Sequence, residues 1–365
     1  MKLPTAKSTT RAAHDAREAD MASEAHTPRR VHTPRDASAT GKASASGEAD
    51  ANGNTSATGN RSADANVSAN NRASANDKAS ADDKASVKMS VSNVEATPSG
   101  STLPLIIGHR GASASAPENT IAAFERALRD GADGIEFDVR LARDGVPVII
   151  HDATLRRTAG IDAPVAALSS TDLSATDVGS WFNRRHPARA AELYARETVP
   201  TLARVFEIVA PRCRLLYVEL KCEAGETASL VERVVAEVRA HRLERRVLIE
   251  SFTLAAIAEA KRIAPDVRTA AAFERRPGRP ILTARSLLKR ARDCRADELA
   301  LARTLVSRRT VAAARAHGLQ TVVWTVDHPT WFRRACALGL RAVITNDPSK
   351  MCAAREEFLE QQRLR

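Results

Sequence analysis

Residues 103–111 read LPLIIGHRG, a short apolar run that stops at Gly108, His109, Arg110 and Gly111. Such a run, closed by turn-forming and charged residues, reads as a buried strand followed by a loop. The same grammar recurs downstream in DGIEFDV (133–139), VPVIIHD (146–152), RLLYVELK (214–221), RVLIESF (246–252), VRTAAAF (267–273), QTVVWTV (320–326) and RAVITN (341–346). Most of these runs are separated by Ala/Leu/Arg/Glu-rich stretches of helical period. Strands alternating with helices imply parallel βα units, and the expected fold is α/β, a (β/α)8 TIM barrel. Counting DELAL (297–301), nine candidates stand where a barrel needs eight. The link LARDG between Val139 and Val146 is too short for a helix, so a local hairpin or irregularity is expected there.

The 365 residues suggest two domains, or one large domain with an appendage, at roughly 150 residues per domain. All 13 aromatic residues lie at or after Phe124 and all five cysteines at or after Cys213. Residues 1–101 are rich in Ala, Ser, Asn, Asp, Thr and Lys, with a short imperfect repeat in NRASANDKASADDKASVK. Such a segment cannot offset an ordering cost of about 1 to 2 kcal/mol per residue, so a disordered low-complexity tail is expected. The expected division is therefore the tail (1–101), a barrel (102–352) carrying an insertion (152–200), and a charged C-terminal end (353–365). The remainder after the tail matches the size of one barrel, about 250 residues.

A formal net charge of +11 favours anionic partners. No nucleic-acid motif and no interleaving of basic with aromatic residues is present, so nucleic acid is not expected. The cysteines show no CxxC spacing and read as reduced thiols. The start, MKLPTAKSTT, lacks the apolar run of about 7 to 15 residues that a secretory signal needs, and no window approaches about 18 apolar residues. A cytoplasmic protein without stable membrane insertion is expected. Nothing in the sequence specifies an oligomeric state.

Catalytic groups of a (β/α)8 barrel gather where strands end, and this sequence loads those ends. His109 and Arg110 follow the first strand, Glu136 and Asp138 sit in the second, His151 and Asp152 end the third, and Glu219 and Lys221 end the fourth. Glu136 and Asp138, two apart in a strand, project to one face, and Glu219 can join them. Three buried carboxylates need compensation. A hard divalent cation with oxygen ligands, Mg²⁺ or Ca²⁺, supplies it; a ring of salt bridges among Glu136, Asp138, Lys221 and Arg110 is the structural alternative. Lys221 and Arg110 suit phosphoryl oxygens. His109 and His151 can divide general acid and general base roles in displacement at phosphorus, and the sequence leaves open which does which.

His109-Arg110-Gly111, Pro117-Glu118-Asn119-Thr120, GADGIEFDV, DGVPVIIHD with Thr154-Leu155 and Arg157-Thr158, VELK, Ser251-Phe252 and Trp324-Thr325-Val326 stand in an order that resembles the glycerophosphodiester phosphodiesterase family. The resemblance spans roughly residues 105–347. It implies a PLC-like phosphodiesterase TIM barrel that hydrolyses glycerophosphodiesters to sn-glycerol 3-phosphate and an alcohol. It also implies a divalent metal at the positions of Glu136, Asp138 and Glu219, with His109, His151, Arg110 and Lys221 at the family's active-site positions. The stretch 152–200 resembles the family's insertion over the barrel mouth, where Trp181 and Phe182 wall the substrate pocket or fill a mini-core. Trp324, ending a late strand, caps the pocket or fills the core. AGIDAPVAA (159–167) and HPARAAELYARE (186–197) depart from the family's pattern and bear on alcohol specificity. Two other readings stand beside this one: a related barrel acting on lysophospholipids or inositol phosphodiesters, and an inactive barrel that binds an anion.

Overall fold

The computed structural model describes residues 103–278 and 282–364, so the expected tail lies outside the described residues. Nine strands are present: β1 (Leu105–His109), β2 (Gly134–Leu141), β3 (Pro147–Ile149), β4 (Leu215–Leu220), β5 (Val247–Ser251), β6 (Arg268–Phe273), β7 (Glu298–Ala302), β8 (Gln320–Trp324) and β9 (Ala342–Thr345). Eight of them, all but β3, form a closed parallel barrel in the order β1-β9-β8-β7-β6-β5-β4-β2, sealed by pairing of β1 with β2. DELAL is a full stave: β7 pairs with both β6 and β8.

The surplus ninth run is β3, which folds back antiparallel on β2 from Val139↔Ile149 to Leu141↔Pro147. The five-residue link cannot carry a crossover helix, so a hairpin is the only short solution. The third strand is accordingly not a barrel stave, and its antiparallel course carries His151 back alongside the Asp138 region of β2.

Alternation along each strand separates two cores. Ile107, Tyr217, Leu248, Ala272, Ala300 and Val322 fill the barrel interior, whereas Ile106, Phe137, Val218, Ile249, Leu299 and Val323 face the surrounding helices. Gly134 is required where β2 meets β4, because a Cβ there would collide with the Leu215 carbonyl oxygen and the Ile107 side chain.

The insertion packs on the hairpin through Val148, Ile150, Leu155, Val165, Leu173 and Val199. Its Tyr194 hydroxyl donates to the Ser115 carbonyl at 3.0 Å, fastening it to the loop after β1. The last helix, Pro348–Arg363, runs straight across the expected boundary at 352/353. Met351, Cys352 and Ala354 are buried, Arg355 pairs with Asp133 at 2.7 Å, and Phe358 packs edge-on to Phe332. The charged end is thus the C-terminal part of the barrel's final helix, which packs through Ala354, Arg355 and Phe358. Among the described residues no helix is long and apolar enough to cross a membrane.

Candidate active site

The β1–β2 and β2–β4 registers set His109 opposite Glu136 and Asp138 opposite Glu219, and the β4–β5 register sets Glu219 opposite Glu250. All four carboxylates are buried at the C-terminal end of the barrel interior. Ligand oxygens of Glu136, Asp138 and Glu219 lie within 4.8 Å of one another.

The loop after β1 folds onto this cluster by two left-handed residues that are not glycine, Arg110 (φ 55°) and Asn119 (φ 59°). Such conformations cost of order 1–3 kcal/mol each and persist only where surroundings impose them. Here the Arg110 backbone N–H donates to Glu136 Oε2 at 3.0 Å, and its guanidinium meets Asp138 Oδ2 at 3.0 Å and Glu118 Oε1 at 2.9 Å. Asn119 donates Nδ2–H to Asp138 Oδ2 at 2.8 Å, and its backbone N–H donates to the Arg110 carbonyl at 3.1 Å. Thr120 then caps the helix Ile121–Arg129, accepting from the Ala123 N–H, which fixes where the loop ends.

Charge is distributed unevenly. Burial would raise the Asp138 carboxyl, but Arg110 and Lys221 outweigh it and hold the group below the usual carboxylate range. Lys221 Nζ lies 3.0 Å from Asp138 Oδ1 and 2.6 Å from Glu219 Oε1, and these carboxylates overcome burial to hold the ammonium charged. Glu136 differs: burial, then the charges of Asp138 and Glu219, push it well above 4.5, and its Oε1 is buried with no hydrogen-bond partner among the described residues. Glu250 is raised by the same causes, burial first and then Glu219. The salt-bridge ring foreseen as an alternative therefore forms around Asp138 and Glu219, while Glu136 has no Lys or Arg ion pair among the described residues.

The imidazoles approach from two sides. His109 Nδ1 lies 2.7 Å from Asn346 Oδ1, and Nε2 lies 3.9 Å from Glu136 Oε2. Burial, then Arg110, lowers its pKa to about 4, so the resting ring is neutral. His151 is delivered by the hairpin, with the Ile150 N–H donating to the Asp138 carbonyl at 3.0 Å and Arg140 Nε–H to the His151 carbonyl at 2.8 Å. Its Nδ1 lies 2.6 Å from Asp152 Oδ1. Burial works against ionisation of Asp152, but His151 and Arg157 prevail and keep its carboxyl low. Arg157 bridges Asp152 Oδ2 (2.7 Å) and Glu118 Oε2 (2.8 Å), tying the insertion to the β1 loop.

The expected aromatic residues separate. Phe182 is 1% exposed and packs against Trp181, His186 and Tyr194, so it belongs to the mini-core and does not wall the pocket. Trp181 is half-buried, donates Nε1–H to the Val178 carbonyl at 2.8 Å, and carries the Arg157 guanidinium 5.8 Å over its ring. Trp324 faces the barrel interior edge-on to Phe252 at 5.4 Å, and its Nε1–H has no hydrogen-bond partner among the described residues.

Residues without a role in the sequence reading also meet here: Glu118, Asn119, Asp152, Arg157, Glu250, Asp327 and Asn346. The Glu250 signal was a lone charge inside the apolar run VLIES.

A family model described as the glycerophosphoryl diester phosphodiesterase family matches residues 109–350. Among curated proteins, the chain is 31% identical to a glycerophosphodiester phosphodiesterase of Caldanaerobacter subterraneus subsp. tengcongensis, covering 68% of this chain and 96% of that protein. Among solved structures, it resembles an Oleispira antarctica phosphodiesterase in complex with the product sn-glycerol-3-phosphate (TM-score 0.62, 27% identity, 70% of this chain and 97% of that one). It also resembles a glycerophosphodiester phosphodiesterase from Agrobacterium tumefaciens (TM-score 0.57, 29% identity, 69% and 100%).

Proposed function

The chain belongs to the glycerophosphoryl diester phosphodiesterase family, and on that premise we propose how this site carries out hydrolysis of glycerophosphodiesters to sn-glycerol 3-phosphate and an alcohol. The observation that carries the proposal is the meeting of three buried carboxylates with two imidazoles at one end of the barrel. Glu136, Asp138 and Glu219 fit a hard divalent cation, Mg²⁺ or Ca²⁺: their donors are all oxygen, and the unpartnered Glu136 Oε1 lacks the compensation that a buried charge requires. When bound, such a cation offsets negative charge on the phosphoryl oxygens.

The protein's own groups do the rest. Arg110 and Lys221 bind and orient the phosphate through the N–H donors that their carboxylate partners leave available. His109, neutral at rest, accepts the proton of the attacking hydroxyl at Nε2. A P–O bond forms to that oxygen and the P–O bond to the alcohol breaks, the departing oxygen taking a proton from His151. Water attacks directly, or the neighbouring glycerol hydroxyl attacks first and water opens the cyclic phosphate; either route consumes one water per diester. Asp152 accepts from His151 Nδ1–H and orients the ring, and Arg157 holds Asp152 in place. Trp324, edge-on to Phe252, closes the barrel-interior side of the substrate pocket, and Trp181 borders the mouth beside Arg157. A cytoplasmic location remains part of this reading.

Turnover of glycerophosphocholine and lysophosphatidylcholine, each with Mg²⁺, with Ca²⁺ and with excess chelator, tests the proposal. The expected result is metal-dependent release of glycerol 3-phosphate from the former. Full activity in chelator with no metal in the protein overturns the metal assignment, and preference for the lysolipid overturns the substrate class.

A further inference from the structure

We propose that Asp327 and Asn346 form a polar relay that fixes the tautomer of His109, which makes both of them positioning residues for its proton transfer. The inference rests on the reading of His109 as an acid–base residue. Asp327 follows β8, and an ionised carboxylate only accepts hydrogen bonds. It accepts from the Thr345 hydroxyl at 3.0 Å, from the Asn346 backbone N–H at 2.8 Å and from Asn346 Nδ2–H at 2.9 Å. An amide whose nitrogen is committed to Asp327 must turn its Oδ1 the other way, and Oδ1 lies 2.7 Å from His109 Nδ1. A carbonyl oxygen has no proton to give, so Nδ1 carries it. Nε2 is then left with its lone pair, on the side of the ring nearer Glu136 Oε2.

The relay is anchored at both ends. The Asn346 carbonyl accepts from the Ala114 N–H at 2.9 Å, in the loop that follows His109. Ser113 Oγ lies 3.0 Å from Asn346 Oδ1 and can fill its second lone pair. Asn346 therefore moves with the loop that bears the imidazole.

The test reads the tautomer directly, by long-range ¹H–¹⁵N correlation of the neutral His109 ring in the full chain, assigned by its absence in His109→Gln. The wild type should show Nδ1–H. Asp327→Asn lets the introduced amide donate to Asn346 Oδ1 and turn Nδ2–H toward His109. The Nε2–H tautomer should then appear, with kcat for glycerophosphocholine down about 10²-fold and KM within about twofold. The double variant D327N/N346D puts an acceptor-only group back against Nδ1. It should recover the Nδ1–H tautomer and raise kcat at least about tenfold over Asp327→Asn.

An Nε2–H tautomer in the wild type overturns the relay, and that spectrum requires no variant to fold. An unchanged tautomer and kcat in Asp327→Asn overturn it as well. Full activity of His109→Ala instead overturns the catalytic reading, while the wild-type tautomer still reports on the relay.

Discussion

Replacing Glu136 by Gln should stabilise the metal-free protein while abolishing metal binding and turnover. The carboxylate is 2% exposed, pairs with no Lys or Arg among the described residues, and feels burial first and then the charges of Asp138 and Glu219. Removing an uncompensated buried charge is worth several kcal/mol. Against that, the Arg110 N–H now donates to Glu136 Oε2 at 3.0 Å, and exchanging the charged acceptor for a neutral one gives back about 1 kcal/mol. The net gain is about 1 to 3 kcal/mol, or about 2 to 10 °C in Tm for a domain of this size.

The pH dependence carries the same sign. A carboxyl whose folded pKa is raised contributes stability below the unfolded value, near 4.5, and loses it as pH rises through the folded value. The Tm difference between Glu136→Gln and wild type in chelator should therefore open above about pH 4.5 and grow with pH until the folded group has ionised. Thermal melts in excess chelator and in saturating Mg²⁺ or Ca²⁺ measure both effects, and the added cation should raise Tm only for the wild type. A variant that melts lower than wild type in chelator at pH 8, or that keeps the metal-induced shift, refutes this account of Glu136.

His109→Ala and His151→Ala should each lower kcat by about 10² to 10⁴ while keeping the metal-induced Tm shift; near wild-type kcat in both from pH 6 to 9 would end the two-histidine mechanism. Phe182→Ala should cost about 3 to 5 kcal/mol through the cavity it leaves in the insertion's mini-core, read as a lower Tm; an unchanged Tm with a raised KM would return Phe182 to the pocket wall. Deleting residues 1–101, whose composition supplies no core, should leave kcat and Tm nearly unchanged, and a loss of several degrees would show that the segment docks.

The barrel was legible because alternation of buried strand and amphipathic helix is written in local periodicity, and even β3 announced itself as one strand too many with too short a link. His109, Glu136, Asp138, His151 and Glu219 were legible for a related reason: polar groups at apolar strand ends have nowhere to go except a shared pocket. The relay residues were hidden because Asp327 and Asn346 look like ordinary loop polars, and they meet His109 only when β9 closes beside β1, across a sequence separation of 237 residues. Phe182 and Trp181 are neighbours of similar chemistry, and only the fold of the insertion decides which of them is sealed beneath Tyr194. The C-terminal end looked merely charged because its helix buries a narrow stripe, Met351, Cys352 and Ala354, among many polar residues.

The seam between β1 and β9 makes the site a check on its own synthesis. The first stave to leave the ribosome is edged by the last, Leu105 opposite Ala342. Glu136, Asp138 and Glu219 are all translated well before residue 342, yet until then the sheet is open beside β1 and the Asn346 contact to the His109 ring is missing. A chain stalled or clipped short of β9 thus carries the acidic cluster without its oriented imidazole. On the proposed mechanism, a chain ending before β9 should therefore fail to turn over glycerophosphodiesters even though it contains every carboxylate of the cluster.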